Sequence, residues 1–546
     1  MTRWRWAARD GGDVDRVEDP AWHGGVLSST GRFGRTTISI ERRHRSGESE
    51  RELTVWSRDK LFIANQWIEP SGARQLEVTS PTTEEVIGRT PYAEIADIDR
   101  AVGAAQQAFR DGPWPRMSLD ERAESLRRVA KEFTTRVSEA VEQQIDEMGG
   151  TRRYVETVTH SVSAVLERMI RDAAPVRFLE IRAGSAGDVL VLREPIGVAV
   201  GILPWNAPIM MAVEKLFPAL LMGCPMVLKP APESPLSIHV LAEAIEAADL
   251  PAGTVSVLPG GVDTGEYLVA HPGIQKVTFT GSSTAGASIA ALCGEHLKSV
   301  TLELGGKSAA VVLDDDFEAY VPIIVQNALR NTGQVCVSPN RILIADEQHD
   351  SFIEALLAHL GSLKVGDPHE QQTDFGPLVS RRQRERVEGF IHRAVEAGAQ
   401  IAFGGGRPAG LDQGWYVQPT VLVGVDNSME VAQEEIFGPV LSVIRYSDEA
   451  DAVAIANDSQ YGLGGSVFAA DAARAVAVAL QIDTGTCQIN DAPGAGGGGP
   501  FSGHKKSGLG CERSREGHEQ FLEIKSVVLP HGCTYGALLA SEGAAG

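Results

Sequence analysis

Short apolar runs alternate with segments of helical period along the middle of the chain, and this alternation limits the possible folds more than any other feature. Between residues 198 and 304, Val198–Leu203 and Met226–Leu228 are apolar runs, and Val255–Leu258, Lys276–Thr280 and Ser299–Leu304 are further extended segments. Short strands that are apolar throughout are buried on both faces, and the segments between them have the length of crossover helices. The pattern therefore predicts an α/β fold with a parallel, doubly wound sheet.

A second alternation follows, which predicts a second α/β unit. Its strands are expected near Ala309–Leu313, Ile342–Ala345, Gln400–Phe403, Val440–Arg445, Gly465–Phe468 and Thr486–Asn490. Two extended segments fall outside both units. Residues 177–193 resemble a β-hairpin that turns around residues 183–187, and residues 526–529 form a short late strand. Extended segments of this kind often pair with a partner chain.

Length and charge limit the class of protein. A chain of 546 residues has room for two to four domains, and 43% hydrophobic with 22% charged residues is typical of a soluble globular protein. No apolar run approaches the roughly 18–20 residues of a membrane span, and no signal-peptide pattern is seen. We therefore expect a cytoplasmic protein without a membrane partner. The net charge of -22 argues against a nucleic-acid partner, which requires a basic face.

Residues 1–57 differ from the rest of the chain. They are rich in Arg and Gly, and Trp4, Trp6 and Trp22 follow no helical or alternating period, so we predict disorder. A mitochondrial presequence is disfavoured, because several acidic residues follow Arg3, Arg5 and Arg9 and such peptides contain few acids. A start codon assigned too far upstream is an alternative explanation of this segment.

The six cysteines are too sparse for a disulfide framework, and their spacing does not indicate a metal site. For four of them we expect the ordinary role of a small buried hydrophobic residue: Cys224, Cys293, Cys487 and Cys533. Cys336 differs because it ends the sequence Gly333-Gln334-Val335-Cys336.

Cys336 shares the chain with two other side chains whose settings suit one kind of chemistry. Asn206 ends Pro204-Trp205-Asn206, and Glu303 lies in Leu302-Glu303-Leu304-Gly305-Gly306. A thiol can attack a carbonyl, an amide can donate to the oxyanion that forms, and a carboxylate can activate water to release the acid. Taken separately, Asn206 is more simply a turn or cap residue and Glu303 an exposed strand-end carboxylate. As a set, the three predict acyl transfer on a cysteine.

A dinucleotide would need an unusual phosphate site, because the first strand is not followed by Gly-x-Gly-x-x-Gly. The best candidate is the turn between Phe279 and Gly286, where backbone N–H groups and the Ser282 hydroxyl precede a helix. The same sequence is also compatible with simple N-capping. Lys229, at the end of the second strand, stands where a nucleotide ribose would lie, although an exposed lysine is the plainer alternative.

From about Lys60 to Leu529, the sequence resembles the aldehyde dehydrogenase superfamily. The motifs that carry the resemblance occur in order: Pro204-Trp205-Asn206, Lys229-Pro230-Ala231, Phe279-Thr280-Gly281-Ser282, Glu303-Leu304-Gly305-Gly306-Lys307, Gly333-Gln334-Val335-Cys336, Glu435-Ile436-Phe437-Gly438-Pro439 and Pro500-Phe501-Ser502-Gly503. The resemblance implies two doubly wound parallel-sheet domains and a small β oligomerisation domain. The expected division is a nucleotide-binding domain at 58–176 and 196–305, a catalytic domain at 306–485, oligomerisation elements at 177–195 and 486–535, and a tail at 536–546.

The resemblance also implies roles for individual residues. Cys336 is the expected nucleophile and Glu303 the general base, while Asn206 and the Cys336 backbone N–H form the oxyanion hole. The expected cofactor-binding residues are Trp205, Lys229, Gly261, Gly281, Ser282, Gly286, Glu435 and Phe437. No metal is expected. The implied reaction is oxidation of an aldehyde with NAD by a homodimer or homotetramer.

Three departures from the family pattern affect the details. Pro232 stands where many NAD-using relatives have a Glu that binds the adenosine ribose, and Glu233 comes one residue late, so NADP is a possible cofactor. Cys511 replaces the usual Arg, which suggests a weakened structural ion pair. The third departure is in the substrate pocket.

Small or flexible side chains replace bulkier ones at the positions expected to line the pocket: Ala207, Met210, Met211, Val335, Val337 and the glycine-rich residues 494–499 before Phe501. They favour a medium-sized or bulky hydrophobic aldehyde. Glu214 is the one acidic candidate at the pocket mouth, with an exposed helix charge as the alternative. No Arg is evident at these positions to bind a substrate carboxylate.

Other functions are weighed against this interpretation. A CoA-acylating semialdehyde dehydrogenase would use Cys336 but transfer the acyl group to CoA, and the Glu303 base argues against it. A non-enzymatic scaffold would be expected to lack one of the three catalytic residues. A thioester or ester hydrolase would turn over without nucleotide.

Overall fold

The computed structural model describes residues 56–491 and 498–536. Most of the predicted disordered segment, residues 492–497 with part of the glycine-rich stretch, and residues 537–546 of the predicted tail lie outside these ranges. The last two residues of the 1–57 segment correct that prediction. Trp56 and Ser57 form a strand paired with Gly88 and Arg89, and the Trp56 indole donates to the Asp146 carboxylate at 3.3 Å. The regular fold therefore begins by Trp56.

The first part of the chain supplies one small sheet, two hairpins and five helices. Its elements are β1 (Trp56–Ser57), β2 (Leu61–Ile63), β3 (Gln66–Ile68), β4 (Gln75–Thr79), β5 (Val86–Pro91), α1 (Ile95–Asp111), α2 (Leu119–Thr134), α3 (Val137–Met148), α4 (Arg152–His160), α5 (Val162–Ala173), β6 (Leu179–Ala183) and β7 (Asp188–Pro195). The sheet β1-β5-β4 is separate, whereas β2 and β3 form the edge of the next sheet.

The predicted strand and helix alternation forms the first large sheet. Its elements are β8 (Ala199–Ile202), α6 (Pro208–Leu221), β9 (Met226–Lys229), α7 (Leu236–Ala247), β10 (Val255–Val257), α8 (Val262–Ala270), β11 (Lys276–Thr280), α9 (Ser283–Glu295) and β12 (Ser299–Glu303). The five strands are parallel in the order β12-β11-β8-β9-β10. Ala199 packs on one face, in a core with α6 and α7, and Val200 on the other, with α1 and α8. Both faces are thus covered, as the uninterrupted apolar runs require.

The second alternation forms a seven-stranded sheet in the order β15-β16-β17-β14-β13-β19-β20. The elements of this part of the chain are β13 (Ala309–Val312), α10 (Phe317–Ala328), β14 (Arg341–Ala345), α11 (His349–Leu360), α12 (Arg381–Glu396), β15 (Gln400–Phe403), β16 (Thr420–Val423), α13 (Glu430–Gln433), β17 (Val440–Tyr446), α14 (Glu449–Asn457), β18 (Tyr461–Gly462), β19 (Gly464–Phe468), α15 (Ala472–Ala479) and β20 (Thr486–Ile489). Of these, β18 lies outside the seven-stranded sheet. All its strand pairs are parallel except β15 with β16. The prediction of two doubly wound units is confirmed.

The remaining elements are β21 (His504–Lys505), β22 (Gly508–Leu509), α16 (Ser514–Glu519) and β23 (Leu522–Val528). The predicted hairpin is present as β6 and β7, and β23 pairs antiparallel with β7 to complete a three-stranded sheet. Residues 486–535 do not form one unit. Strand β20 belongs to the seven-stranded sheet, whereas β22 joins the first large sheet, which has eight strands in all. Assignment of the β6, β7 and β23 sheet to oligomerisation stays a prediction.

Candidate active site

Neighbouring strands of the first sheet end at one edge and bring several predicted residues together. The register pairs Ile202 with Lys229 and with Phe279, and pairs Thr280 with Glu303. The carboxyl ends of β8, β9, β11 and β12 are therefore level, which is where ligands bind in open α/β sheets. The Gly281 N–H donates to the Glu303 carbonyl at 3.0 Å and fixes the turn after β11 against the end of β12.

A cleft of about 620 Å³ opens at this edge, facing the second sheet unit. Ligand sites commonly have volumes of about 300–1,000 Å³. Asn206, Glu303 and Cys336 all line it. Of the eight predicted cofactor residues, five also line it: Trp205, Gly281, Ser282, Glu435 and Phe437. The structure thus brings residues more than 100 positions apart in sequence into one cavity.

Cys336 lies in a loop whose backbone is held in an unusual conformation. Asn331 and Thr332 have φ of 51° and 58°, and Gly333 has φ of 73°. A Cβ on Gly333 would lie 2.2 Å from the Gly438 carbonyl oxygen, so this position has no room for a side chain. Left-handed backbone in non-glycine residues costs free energy and persists only where surrounding contacts fix it.

Hydrogen bonds to neighbouring loops fix this conformation. The Asn206 side-chain amide donates to the Gln334 carbonyl at 2.8 Å, and the Asn331 side-chain amide donates back to the Asn206 carbonyl at 3.1 Å. The Gln334 side chain donates to the Asn331 carbonyl and accepts from the Val379 N–H at 3.0 Å. Asn206 is therefore bonded directly to the segment that carries Cys336. Its amide nitrogen has two hydrogens, which leaves one for a ligand oxygen.

Glu303 is buried, and both its carboxylate oxygens lack a hydrogen-bond partner. Burial raises the pKa of Glu303 well above its usual range, and the negative charge of Glu512 adds to this effect. The positive charges of Lys215 and Arg513 oppose it. Lys215 and Glu512 form an ion pair with each other: the Lys215 ammonium donates to the Glu512 carboxylate at 2.5 Å and to the Thr278 hydroxyl at 3.2 Å. An acid that holds its proton more strongly than usual, without a fixed partner, is suited to exchanging protons with a ligand or water.

The Cys336 thiol lies in surroundings that favour its protonated form. Burial raises the pKa of Cys336 to about 12, and the carboxylates of Glu435 and Glu303 contribute in the same direction. Arg513 and Arg330 act in the opposite direction. Since the thiolate is the nucleophile, a bound ligand or a base must favour ionisation.

At the other side of the cleft, aromatic and acidic residues form a second cluster. The Trp205 and Phe437 rings meet edge to face with centroids 5.3 Å apart. Phe437 has φ of 58°, and the Gln383 side chain holds this turn by donating to the Phe437 carbonyl at 2.8 Å. The Glu435 carboxylate accepts from the Gly306 N–H at 3.3 Å. This bond joins the Glu435 loop to the segment that follows Glu303.

Three predicted cofactor residues lie away from the lining of this cleft. Lys229 is buried, donates to the Pro230 carbonyl at 3.2 Å, and has its pKa lowered to about 8 by burial. It is therefore not the exposed lysine of the alternative interpretation. Gly261 caps α8 and donates to the Tyr92 hydroxyl at 2.8 Å. Gly286 lies in the first turn of α9 against Leu304, while Ser282 caps that helix by accepting from the Ala285 N–H at 3.3 Å.

Of the two expectations about charged groups in the pocket, one was wrong, namely the absence of an Arg. Glu214 lines the cleft as expected and is not the exposed helix charge of the alternative: it is buried between two guanidinium groups, accepting from Arg168 at 3.1 Å and from Arg513 at 2.8 Å. Arginines also line the cleft, namely Arg330, Arg386 and Arg513. Sequence reasoning missed them because they come from three distant segments and no local pattern marks them. It also missed the pair of Lys215 and Glu512, although Glu512 directly follows the noted Cys511.

The part of the chain that the structure describes contains no helix long and apolar enough to cross a membrane. Within that same part, no group of three or more His, Cys, Asp or Glu residues is arranged to hold a metal ion.

Comparisons with known proteins give a consistent result. The model of the aldehyde dehydrogenase family matches residues 67–527. A geranial dehydrogenase from Castellaniella defragrans is 38% identical over 481 residues, covering 86% of this chain and 98% of that protein. A Mycobacterium tuberculosis aldehyde dehydrogenase complexed with NAD+ is 44% identical with a TM-score of 0.86, covering 88% of this chain and 100% of that one. A mutant aldehyde dehydrogenase C from Pseudomonas syringae, complexed with NAD+ and octanal, is 36% identical with a TM-score of 0.83. The match covers 86% of this chain and 96% of that one.

Proposed function

The chain belongs to the aldehyde dehydrogenase family, and on that premise we propose that it oxidises a medium-sized hydrophobic aldehyde to the carboxylic acid with NAD+. The reaction proceeds through a thiohemiacetal and then a thioester on Cys336. The observation that carries the proposal is the convergence of Cys336, Glu303 and Asn206 on one cleft with Glu435 and Phe437.

The first step is attack of the Cys336 sulfur on the carbonyl carbon of the aldehyde. The carbonyl oxygen becomes an oxyanion, which accepts hydrogen bonds from the free N–H of the Asn206 amide and from the Cys336 backbone N–H. The bond from Asn206 to the Gln334 carbonyl holds the donor in place before the substrate arrives. No reorganisation is then needed as the charge develops.

NAD+, when bound, accepts the hydride that leaves the thiohemiacetal carbon and so supplies the oxidising power of the reaction. Glu435 is suited to the nicotinamide ribose, and Trp205 and Phe437 to the ring. Gly281 and Ser282 offer a helix N-terminus to the pyrophosphate, with Gly286 allowing close packing of that helix. Lys229 and Gly261, at the ends of β9 and β10, are assigned to the adenosine side.

Glu303 acts in the release of the acid. Its carboxylate removes a proton from a water molecule, and the resulting hydroxide adds to the thioester carbon and expels the Cys336 thiolate. The orphaned, buried carboxylate oxygens support this role, because they are available to a water molecule in the cleft. The raised pKa of Glu303 sets the pH above which hydrolysis proceeds.

The substrate preference is supported by the apolar wall of the cleft. It is formed by Ala207, Met210, Met211, Val335, Val337 and Phe501. Geranial dehydrogenase is named for a hydrophobic aldehyde, and aldehyde dehydrogenase C was crystallised with octanal, another one. An apolar cleft gains affinity for each buried methylene, by roughly 0.8 kcal/mol. Long-chain or terpenoid aldehydes should therefore be preferred over acetaldehyde.

NAD+ is proposed over NADP+ because both structural relatives named above were crystallised with NAD+. Glu233, one residue beyond the usual acidic position, is partly buried and lies 3.7 Å from Arg382 in an ion pair. Its carboxylate would disfavour a 2′-phosphate, while Arg382 would partly offset that effect.

A homodimer or homotetramer is proposed from the three-stranded sheet. Among residues 56–491 and 498–536, its outer strand β23 pairs with β7 alone, and Ile524 and Val528 on it are 70% and 64% exposed. Unpaired strand edges with apolar side chains favour pairing with another chain. Light scattering coupled to gel filtration measures the oligomeric state, and a monomer at micromolar concentration would contradict the proposal.

The decisive experiment is steady-state reduction of NAD+ and NADP+ with a graded series of aldehydes. Octanal and geranial should give a kcat/KM well above that of acetaldehyde, and succinic semialdehyde should be poor. Highest efficiency with acetaldehyde or with a semialdehyde would overturn the substrate class. Addition of CoA tests the acylating alternative, which predicts that CoA accelerates NADH formation.

A further inference from the structure

The arginines of the cleft differ in how their charges are compensated. Arg513 donates to the buried Glu214 carboxylate, and Arg386 donates to the Glu435 carbonyl at 2.6 Å. Arg330 has neither kind of contact. Its Nε is buried without a hydrogen-bond partner, and within residues 56–491 and 498–536 no carboxylate forms an ion pair with it. A partly buried guanidinium without a counter-ion is costly, so its presence on the cleft wall calls for a functional reason.

Arg330 is also held in a fixed relation to the nucleophile. It begins the 3₁₀ turn of residues 330–333, and Cys336 follows three residues after that turn. The intervening residues are tied to three other segments by the bonds of Asn331 to Asn206, of Gln334 to Val379, and of the Thr332 hydroxyl to the Gly376 carbonyl at 3.1 Å. The left-handed backbone at 331–333 is thereby locked. Arg330 and Cys336 are thus the two ends of one rigid segment, and both line the cleft.

The surroundings of the thiol explain the need for such a charge. Cys336 faces the carboxylates of Glu303 and Glu435, both of which disfavour a thiolate, and burial adds to their effect. Tyr154 shares this part of the cleft and interacts with both Arg330 and Cys336. The opposing charges are those of Arg330 and Arg513. Since Glu214 shares the charge of Arg513, Arg330 is the cation whose field is least offset.

We infer that Arg330 is a positioning residue for the reaction, whose uncompensated guanidinium favours ionisation of the Cys336 thiol. The inference rests on the proposed role of Cys336 as nucleophile. On ionisation the S–H bond breaks and the proton passes to water in the cleft, while the electron pair stays on sulfur and becomes the nucleophile. The charge of Arg330 stabilises that thiolate through space.

Alkylation with iodoacetamide tests this inference, because the reagent is neutral and reacts only with the thiolate. The rate is measured from pH 6 to pH 10 on the full-length protein, with Cys336→Ser identifying the reacting thiol. Arg330→Met should lower the alkylation rate of Cys336 about tenfold throughout this pH range, which corresponds to a thiol pKa higher by about one and an unchanged reactivity of the thiolate itself. Arg330→Lys should keep most of the wild-type rate. Arg100→Met, which neutralises an exposed residue of α1, should change nothing.

An alkylation rate of Arg330→Met equal to that of the wild type across this pH range, with NAD+ binding and thermal midpoint also as in the wild type, would overturn the inference. If kcat/KM for carboxylate-bearing aldehydes alone then falls, Arg330 binds a substrate anion instead. Should Arg330→Met fold poorly, the comparison of Arg330→Lys with Arg330→Gln provides the same test. If the wild-type enzyme did not oxidise hydrophobic aldehydes, the proposed function would be refuted. The alkylation rates would still test the effect of Arg330 on the Cys336 thiol, because alkylation requires no aldehyde.

Discussion

The side-chain amide of Asn206 donates to the carbonyl of Gln334 at 2.8 Å, and this bond joins the end of the first large sheet to the loop that carries Cys336. Asn206 follows β8, whereas Gln334 precedes the nucleophile by two residues in the other sheet unit. The bond orients the amide so that its second hydrogen is available in the cleft. Asn206 therefore serves both the alignment of the two units and the proposed oxyanion hole.

Replacing Asn206 with Ala should lower kcat far more than it weakens NAD+ binding. Loss of one oxyanion donor typically costs about 100- to 1,000-fold in rate, or roughly 2.7–4 kcal/mol. Steady-state kinetics with octanal gives kcat, and fluorescence titration gives the dissociation constant of NAD+. A change confined to KM would contradict the oxyanion role, because it would show loss of uniform substrate binding instead.

Replacing Glu303 with Gln should leave the first half of the reaction intact and block the second. We expect a burst of NADH of about one equivalent per active site, followed by a rate lowered about 100- to 10,000-fold. Stopped-flow absorbance measures the burst, and mass spectrometry of the quenched protein should find an acyl group on Cys336. Glu354→Gln, an exposed position on α11 outside the cleft lining, is the matched control. Undiminished steady turnover in Glu303→Gln would place the base elsewhere.

The fold was largely predictable, because apolar runs such as Val198–Leu203 and Met226–Leu228 report directly on doubly covered parallel strands. The grouping of Asn206, Glu303 and Cys336 in one site was also predictable, since each lies in a distinctive short motif and all three line the cleft. The charged groups around these three residues were not predicted from the sequence. In the sequence, Glu214 looks like an ordinary helix charge and Arg330 like an ordinary loop charge. Their burial depends on which side of α6, and of the 3₁₀ turn at residues 330–333, packs against the cleft. Pairs separated by about 300 residues, such as Lys215 with Glu512, have no local signature.

Acid pH should destabilise the protein partly through His239. This residue is buried on α7, where its Nε2 lies 2.9 Å from the Thr90 hydroxyl, and burial lowers the pKa of His239 to about 3. The unfolded chain takes up a proton near pH 6.5 whereas the folded protein does not, so stability falls as the pH drops from about 6.5 towards 3. The contribution is about 1.4 kcal/mol for each pH unit below 6.5.

His239→Gln keeps a hydrogen-bonding group beside Thr90 but does not titrate. The variant should therefore lose less thermal stability than the wild type when the pH is lowered from 7.5 to 5.5. Thermal midpoints at one fixed scan rate give the comparison. Replacement of the exposed His392 with Gln should leave the wild-type pH dependence unchanged. Equal acid sensitivity of wild type and His239→Gln would refute the role of His239.

The size of the cleft near the nucleophile should determine which aldehydes are oxidised, and Ala207 is the position at which to test it. Ala207 directly follows the oxyanion residue Asn206 and lines the cleft beside Met210 and Met211. A Phe at this position would occupy space that a hydrophobic chain is proposed to fill. We expect Ala207→Phe to lower kcat/KM for geranial about 10- to 200-fold, the range for one clash in an apolar pocket, and to affect propanal much less. Ala207→Ser, which adds one oxygen, should keep the wild-type order of substrates. If Ala207→Phe lowers the efficiency for small and large aldehydes equally, the substrate chain does not lie along this wall, since a steric effect must depend on the size of the substrate.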